Sequence, residues 1–554
     1  MSSPSLQPPG WLAPLVESLA EAIPRLHGVP ADPLIGELIT ALTTALERGE
    51  VDLPLEGPPP EGVTLSHWPA AHRSALQSSP LCRDPEGPLA LEEGRLLWRR
   101  WQQRRQAVLE ELVRRASSPP GGEESPVLPP ETAPALDAQQ RSAVAAVLRY
   151  GLVLLEGGPG TGKTSTVAAM LAAVLERHPG ARIHLAAPTG KAAARLRAAT
   201  GAAWPCTTVH RLLESRGESF GRHRRHPLAL DLLVVDEVSM VDLSLMEALL
   251  EALPASCRLV LVGDPAQLPP IAPGPLLLEL QRPALRQGLA GAVITLCTPY
   301  RSEGVIAAAA ADLRASIERQ QSGNGQDPMA VLRPRLEGLD AGANLHWQRA
   351  SPRRAPPMLL RLLEEHARAL ANLAADLSPE DEAGARELLE LRDRLLVLSP
   401  QRRGPWGLDA LHRALLGEAA VAPVGDWPAG TPVLCNRNLP ELGLANGDVG
   451  VLVRQEGAED ERRLLFGHAG GEAPLWVHPA QLAGAAEPAL ALTIHKAQGS
   501  EAEEVVVLMP AGEHRDPRLL YTALTRARRR ALLITPADEA AFTDQNIDSS
   551  ANKR

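Results

Sequence analysis

Residues Gly157 to Thr164 read G-x-x-x-x-G-K-T. Glycines at this spacing let successive backbone N–H groups turn inward around a phosphate. The lysine can reach the terminal phosphates, and the hydroxyl can ligate Mg²⁺. Gly157, Gly158, Pro159, Gly160, Thr161, Gly162, Lys163, Thr164 and Ser165 are therefore candidate nucleotide contacts. An apolar run precedes the loop and an alanine-rich helical run follows it, so a positive helix N-terminus faces the same anion. Further on, LLVVDEVSM places Asp236 and Glu237 at the end of a second apolar strand. Asp236 can hold the Mg²⁺ shell together with Thr164, and Glu237 can orient or deprotonate a water. The chemistry these groups support is phosphoryl transfer to water.

The elements that must position them alternate. The strand-like runs GLVLLEGG, ARIHLAAP, LDLLVVDE and CRLVLVGD are separated by helical patterns, and a second set (DRLLVLSP, ALALTIHKAQG, EEVVVLMP, RALLITP) follows. Apolar strands alternating with helices make an α/β fold with parallel sheets covered on both faces. Between the later runs, residues 428–484 carry strand signals and the turn ANGDVG, which predicts a small inserted β-barrel. Residues 1–115 are expected to be helical. In GRLLWRRWQQRRQAVLEELVRRA (94–116) a long amphipathic pattern sets arginines on the polar side and Trp98 and Trp101, three apart, on one face for core packing. Residues 116–134 read as a Pro/Gly/Ser/Glu linker and 541–554 as a frayed tail.

Composition narrows the class. The 554 residues carry a formal net charge of −10, so any nucleic-acid footprint must be local or sit on a partner. Five scattered cysteines form neither a zinc pair nor a disulfide framework, as expected of a reduced intracellular protein. No secretory leader and no apolar run of membrane-spanning length is present, which predicts a soluble, cytoplasmic chain without membrane partners. Aromatics make up only 3%, so leucine, alanine and valine must fill the core.

Seven more segments carry the reading from ATPase to motor: LDAQQRSAV (136–144), APTGKAAARL (187–196), TTVHRLL (207–213), LVGDPAQLPP (261–270), TPYRS (298–302), ALTIHKAQGSE (491–501) and YTALTRAR (521–528). In this order the set resembles superfamily 1 DNA helicases. In detail it looks like the RecD family, the alpha subunits of exodeoxyribonuclease V. The likeness spans about 136–302 and 394–535, and HPLALDLLVVDEVSMVDL and GLANGDVG are especially similar to that family.

The resemblance implies two RecA-like motor domains, 135–297 and 298–427 with 485–540, around an SH3-like barrel at 428–484, after a helical, partner-binding N-terminal domain. It implies that Gln140 reads the adenine edge and that Gln267 senses the γ-phosphate or its attacking water. Arg301 and Arg526 approach the γ-phosphate from the second half, and Glu501 joins the nucleotide site. Thr189, Lys191, His210, Thr493 and His495 become contacts to single-stranded DNA. Function follows as a 5′–3′ ATP-dependent DNA helicase acting on single strands and duplex ends, within a heterotrimer with RecB-like and RecC-like subunits for break repair. A stand-alone RecD-like helicase and a nucleotide-binding structural subunit are the alternatives.

The sequence departs from the family at three positions. His412 stands where asparagine is common, Leu490 lies where an aromatic is usual, and Ala502 replaces Phe or Trp. Missing aromatics imply a weaker autonomous grip on bases, since each stacked base contributes about 1–3 kcal/mol. No strand-borne nuclease arrangement is recognisable, which assigns any nuclease to a RecB-like partner. No site is assigned in 303–393.

Overall fold

The computed structural model describes residues 13–537, except 58, 60–64, 66, 118–135, 202, 218, 299, 301–303, 322–326, 341, 376, 455–461, 468–472 and 511–515. Most of the expected linker and the whole expected tail lie outside the described residues, as does Arg301.

The N-terminal region is not purely helical. Helices Ala13–Leu26, Pro33–Glu47 and Ala70–Ser78 pack with a three-stranded antiparallel sheet of Asp52–Pro54, Leu89–Glu92 and Arg95–Trp98. The last two strands form a hairpin whose two-residue turn, Glu93-Gly94, has φ +49° and +74°. Positive φ at both turn positions matches the right-handed twist of the flanking strands. The long amphipathic pattern therefore splits. Arg95–Trp98 is strand, and the helix runs only over Arg99–Ser117. Trp98 and Trp101 do not share a face of one helix. Trp98 packs with Leu38, Leu53 and Leu96, whereas Trp101 packs on the next domain.

The arginine face of that helix is also partly buried. Arg115 is 2% exposed and donates to the carbonyls of Cys257 (2.8 Å), Leu253 (3.3 Å) and Pro254 (3.1 Å). Arg105 faces Asp52 and Glu279. These partners are remote in sequence and offset the cost of removing the cations from water.

The first α/β unit is a six-stranded sheet in the order Val293–Leu296, Leu152–Gly157, Arg258–Gly263, Leu232–Val235, Ile183–Ala187, Cys206–Thr208, parallel throughout. Alternate residues feed two cores. Leu152, Leu154, Leu233, Val235, Leu259 and Leu261 pack towards Leu112 and Leu249, while Val153, Leu155, Val234, Val260 and Val262 pack towards Val167 and Leu171. Burial on both faces explains why these strands lack polar alternation.

The second unit is a five-stranded parallel sheet in the order Leu345–Ala350, Ala527–Pro536, Ala502–Leu508, Leu395–Ser399, Leu492–Thr493. Residues 303–393, so far without a role, supply its edge strand and several helices, including Val305–Gln321. The insertion is a five-stranded antiparallel sheet of Pro432–Cys435, Val449–Arg454, Arg462–Phe466, Leu475–Val477 and Ala486–Pro488; its two end strands, Leu475–Val477 and Ala486–Pro488, are not paired with each other. Among the described residues, no helix is long and apolar enough to cross a membrane.

Candidate nucleotide site and the cleft between the motor halves

The buried strand Leu152–Gly157 delivers the chain into the glycine loop, and helix Lys163–Arg177 leaves it. Gly160 and Gly162 hold φ of +73° and +80°. A Cβ on Gly157 would come 2.5 Å from Thr161 Oγ1, and one on Gly162 would come 2.7 Å from Gln140 Nε2. The loop is thus a cradle that only glycine permits at these two positions. Thr161 Oγ1 donates to the Gly158 carbonyl at 2.9 Å, and Lys163 Nζ donates to the carbonyls of Gly157 (2.8 Å) and Gly158 (2.9 Å). Thr164 is half-buried beside it, and Ser165 is exposed.

Gln140 lies under this loop. It closes the N-terminus of helix Ala138–Arg149 in a reciprocal cap with Asp137, accepting from the Asp137 N–H at 3.0 Å. Tyr300 packs beside it against Gly162. Its N–H donates to Gly160 O at 2.8 Å and its hydroxyl to Asp137 at 2.6 Å.

Asp236 and Glu237 follow strand Leu232–Val235, and both are buried. Burial, and then Glu237 beside it, pushes the Asp236 carboxyl up. Burial acts the same way on Glu237 but is outweighed by Arg195, Arg526 and Lys163, which hold it below the usual carboxylate range. Glu237 adopts φ +53°, a left-handed conformation that costs a non-glycine residue about 1–3 kcal/mol and recurs at functional sites. Gln267 is 5% exposed, and its Oε1 has no hydrogen-bond partner among the described residues.

The second unit closes the other side. Gln498 Nε2 donates to Leu268 O at 2.7 Å, and Leu268 N–H donates to Thr522 Oγ1 at 2.9 Å, so the loop after Asp264 in the first unit is held by the second. Arg526 is 3% exposed, with Nε on the Thr522 carbonyl at 3.1 Å and Nη1 on that of Ser500 at 3.3 Å. A cavity of about 650 Å³ opens between Gly158–Thr161 on one side and Arg314, Glu501, Tyr521 and Arg528 on the other. Motif reading passed over several groups here. Asp264 is fully buried and is bonded by Arg314 and by the Tyr521 hydroxyl at 2.6 Å. Arg195 bridges Glu237 and Glu501. All but Arg314 stand inside the quoted motifs; Arg314 lies where no motif was recognised.

With this geometry in hand, residues 140–273 match the AAA domain family and residues 488–534 the UvrD-like helicase C-terminal domain. The chain is 38% identical to the RecBCD enzyme subunit RecD of Mycolicibacterium smegmatis, over 72% of this chain and 70% of that protein. It is 35% identical to the RecBCD enzyme subunit RecD of Mycobacterium tuberculosis, over 90% of this chain and 84% of that protein. The chain belongs to the RecD family. The ATP-dependent RecD2 DNA helicase of Deinococcus radiodurans is 33% identical over 73% of this chain and 49% of its own length.

The remaining positions singled out in the sequence divide by environment. Thr189 caps helix Gly190–Ala199, accepting from Ala192 N–H at 3.3 Å, and lies against Gly499 of the second unit. Lys191 is not on an open surface. Burial lowers its pKa, and Asp393 and Asp448 face it from the second unit and the inserted sheet. Its environment is an interface between domains, set by carboxylates that come from far along the chain. Thr493 accepts from Lys496 N–H at 3.3 Å, and His210 and His495 are half-buried with pKa values lowered by burial.

The three departures read differently in the folded chain. Leu490 and Ala502 are 6% and 2% exposed, so the side chains present at these positions serve packing. His412 Nε2 accepts from Ala491 N–H at 3.3 Å, and burial lowers its pKa to about 4. The folded state therefore keeps it neutral, while the unfolded chain protonates near pH 6.5. Stability attributable to His412 is complete above about pH 6.5 and is lost as pH falls towards 4. His412→Asn, which can still accept from Ala491, should flatten the fall in Tm between pH 6.5 and 4; an unchanged slope would place the acid sensitivity elsewhere.

Proposed function

We propose that this chain is an ATP-driven 5′–3′ translocase and helicase on single-stranded DNA, working as the motor subunit of a RecBCD-type complex. The observation that carries the reading is the meeting of the two units around Glu237: Lys163 of the first unit and Arg526 of the second both act on its charge, Arg195 joins it to Glu501 of the second, and the glycine loop faces Glu501 across a cavity. A nucleotide bound there touches both halves, so its hydrolysis changes how the halves sit.

Roles follow from position. Gly157–Gly162 and the N-terminus of the following helix cradle the phosphates, and Lys163 turns from the loop carbonyls to the terminal phosphates. Gln140 and Tyr300 flank the place for the base. Asp236 and Thr164, a buried carboxylate and a hydroxyl, suit a hard oxygen-seeking cation and would hold Mg²⁺ with water completing its shell. Bound there, Mg²⁺ neutralises charge on the phosphate oxygens. Glu237, kept ionised, orients the attacking water, and the unpaired Gln267 carbonyl accepts a hydrogen bond from it. Arg526, and Arg301 by its motif, meet charge developing on the γ-phosphate.

Single-stranded DNA is taken up by the face that carries Thr189, Thr493, His210 and His495. Such groups contact phosphate and sugar without reading sequence. Lys191 contributes through the domain interface. RecB-like and RecC-like partners are supported by the names of the first two relatives. The stand-alone reading is supported by the RecD2 relative.

The test is ATP turnover by the purified chain with and without single-stranded DNA, followed by unwinding of tailed duplexes. DNA-stimulated turnover and opening of 5′-tailed duplexes are expected. Opening of 3′-tailed duplexes alone would overturn the polarity, and RNA stimulating as strongly as DNA would overturn the substrate. Turnover only after RecB-like and RecC-like chains are added would separate the subunit from the stand-alone motor.

A further inference from the structure

Two carboxylates share one guanidinium at the centre of the cleft. Arg195 Nη2 meets Glu237 of the first unit, and its Nη1 donates to Glu501 Oε1 of the second at 2.7 Å. Glu501 in turn accepts from Arg528 Nε at 3.0 Å. Arg195 sits on helix Gly190–Ala199, whose start is packed hard against the other half. A Cβ on Gly190 would come 2.5 Å from Asp448 Oδ1, and one on Gly499 would come 3.0 Å from Thr189 Oγ1. The first turn of this helix holds Thr189 and Lys191, and one turn later it holds the partner of the water-orienting carboxylate. Helices move as rigid pieces, and packed interfaces shift between discrete arrangements rather than deforming continuously. A displacement at the first turn therefore reaches Arg195 undiminished.

We infer that Arg195 is the positioning residue that couples strand binding to ATP hydrolysis. It divides its two N–H arms between Glu237 and Glu501, and a shift of the helix or of the second half changes that division and so the aim of Glu237. The side chain is 29% exposed. Arginine suits the role because its planar fork can serve two carboxylates at once; a lysine ammonium is a single compact point. The inference rests on the motor reading proposed above.

The experiment compares wild type, Arg195→Gln and Arg195→Lys for ATP turnover with and without a dT oligonucleotide, and for binding of the same fluorescein-labelled oligonucleotide without nucleotide. In Arg195→Gln the factor by which DNA stimulates kcat should fall about tenfold, the scale of substitutions within a coupling network, while KM for ATP and oligonucleotide affinity stay within about threefold. Arg195→Lys, which folds around the same charge, should recover part of the factor. A stimulation factor unchanged in both variants overturns the inference and leaves the motor reading standing. Parallel losses of DNA affinity and stimulation also overturn it, because they would make Arg195 a DNA contact. Wild type that DNA does not stimulate even with RecB-like and RecC-like chains added removes the motor reading itself, and the inference with it.

Discussion

Lys163→Gln should reduce ATP turnover at least about 10²–10³-fold, with DNA present or absent. That is the usual cost of deleting one preorganised charge from a phosphate or oxyanion site. The lysine is the cation nearest the loop carbonyls of Gly157 and Gly158, and it contributes to the field that keeps Glu237 ionised. Glutamine keeps most of the length and a donor, but not the charge. The fold should survive, because Lys163 is half-buried at the start of its helix and belongs to neither hydrophobic core. A Tm close to wild type together with lost turnover is the expected pair of results. Turnover near the wild-type rate in this variant would mean that the glycine loop is not where the γ-phosphate is cleaved, and the site assignment would have to be abandoned.

How far this could be read from sequence depends on where each determinant lies. The glycine loop, the Asp-Glu pair and the all-apolar strands are local. Their residues carry their own geometry, so spacing alone reveals them. The hairpin at 89–98 is local too, but its Glu93-Gly94 turn is hidden inside a pattern that also fits a helix. Its short strands bury Leu96 and Leu97 together rather than alternately. Other features are non-local. Arg115 is buried only because carbonyls about 140 residues later receive it. Lys191 is drawn into an interface by Asp393 and Asp448, and Arg314 becomes part of the cleft through Asp264 and Tyr521. An exposed-looking arginine or lysine carries no local sign of such a partner. The same limit applies to Leu490 and Ala502. As departures from a motif they suggest a poorer DNA surface, whereas their burial assigns them to packing.

The cleft also explains why single residues should matter so much. Leu268 is held from the second unit through both its N–H and its carbonyl, and the loop that carries it also carries Gln267. Asp264, at the start of that loop, is gripped by Arg314 and Tyr521 from helices Val305–Gln321 and Pro517–Leu524. The segment that carries Gln267 in the first unit is thus positioned by side chains of the second. On the motor reading proposed above, closure of the two halves and assembly of the catalytic groups are one event.

Arg526→Ala is the sharpest test of that statement. A guanidinium delivered to the γ-phosphate from a second body contributes about 10³–10⁵ in rate, so kcat should fall by that order while KM for ATP changes far less. The residue is 3% exposed and donates to the carbonyls of Thr522 and Ser500, so removing it also leaves two buried acceptors short of a donor. That structural cost, about 1–3 kcal/mol, would lower Tm in its own right. Arg526→Lys separates the two effects. Lysine keeps the charge and can serve one carbonyl, so most of the stability should return, but it lacks the planar fork and kcat should stay at least about a hundredfold down. Measuring kcat, KM and Tm for both variants distinguishes a transition-state contact from a structural tie. A kcat within about tenfold of wild type in Arg526→Ala would show that hydrolysis does not need the second half, and ATP could then no longer be what drives the halves together.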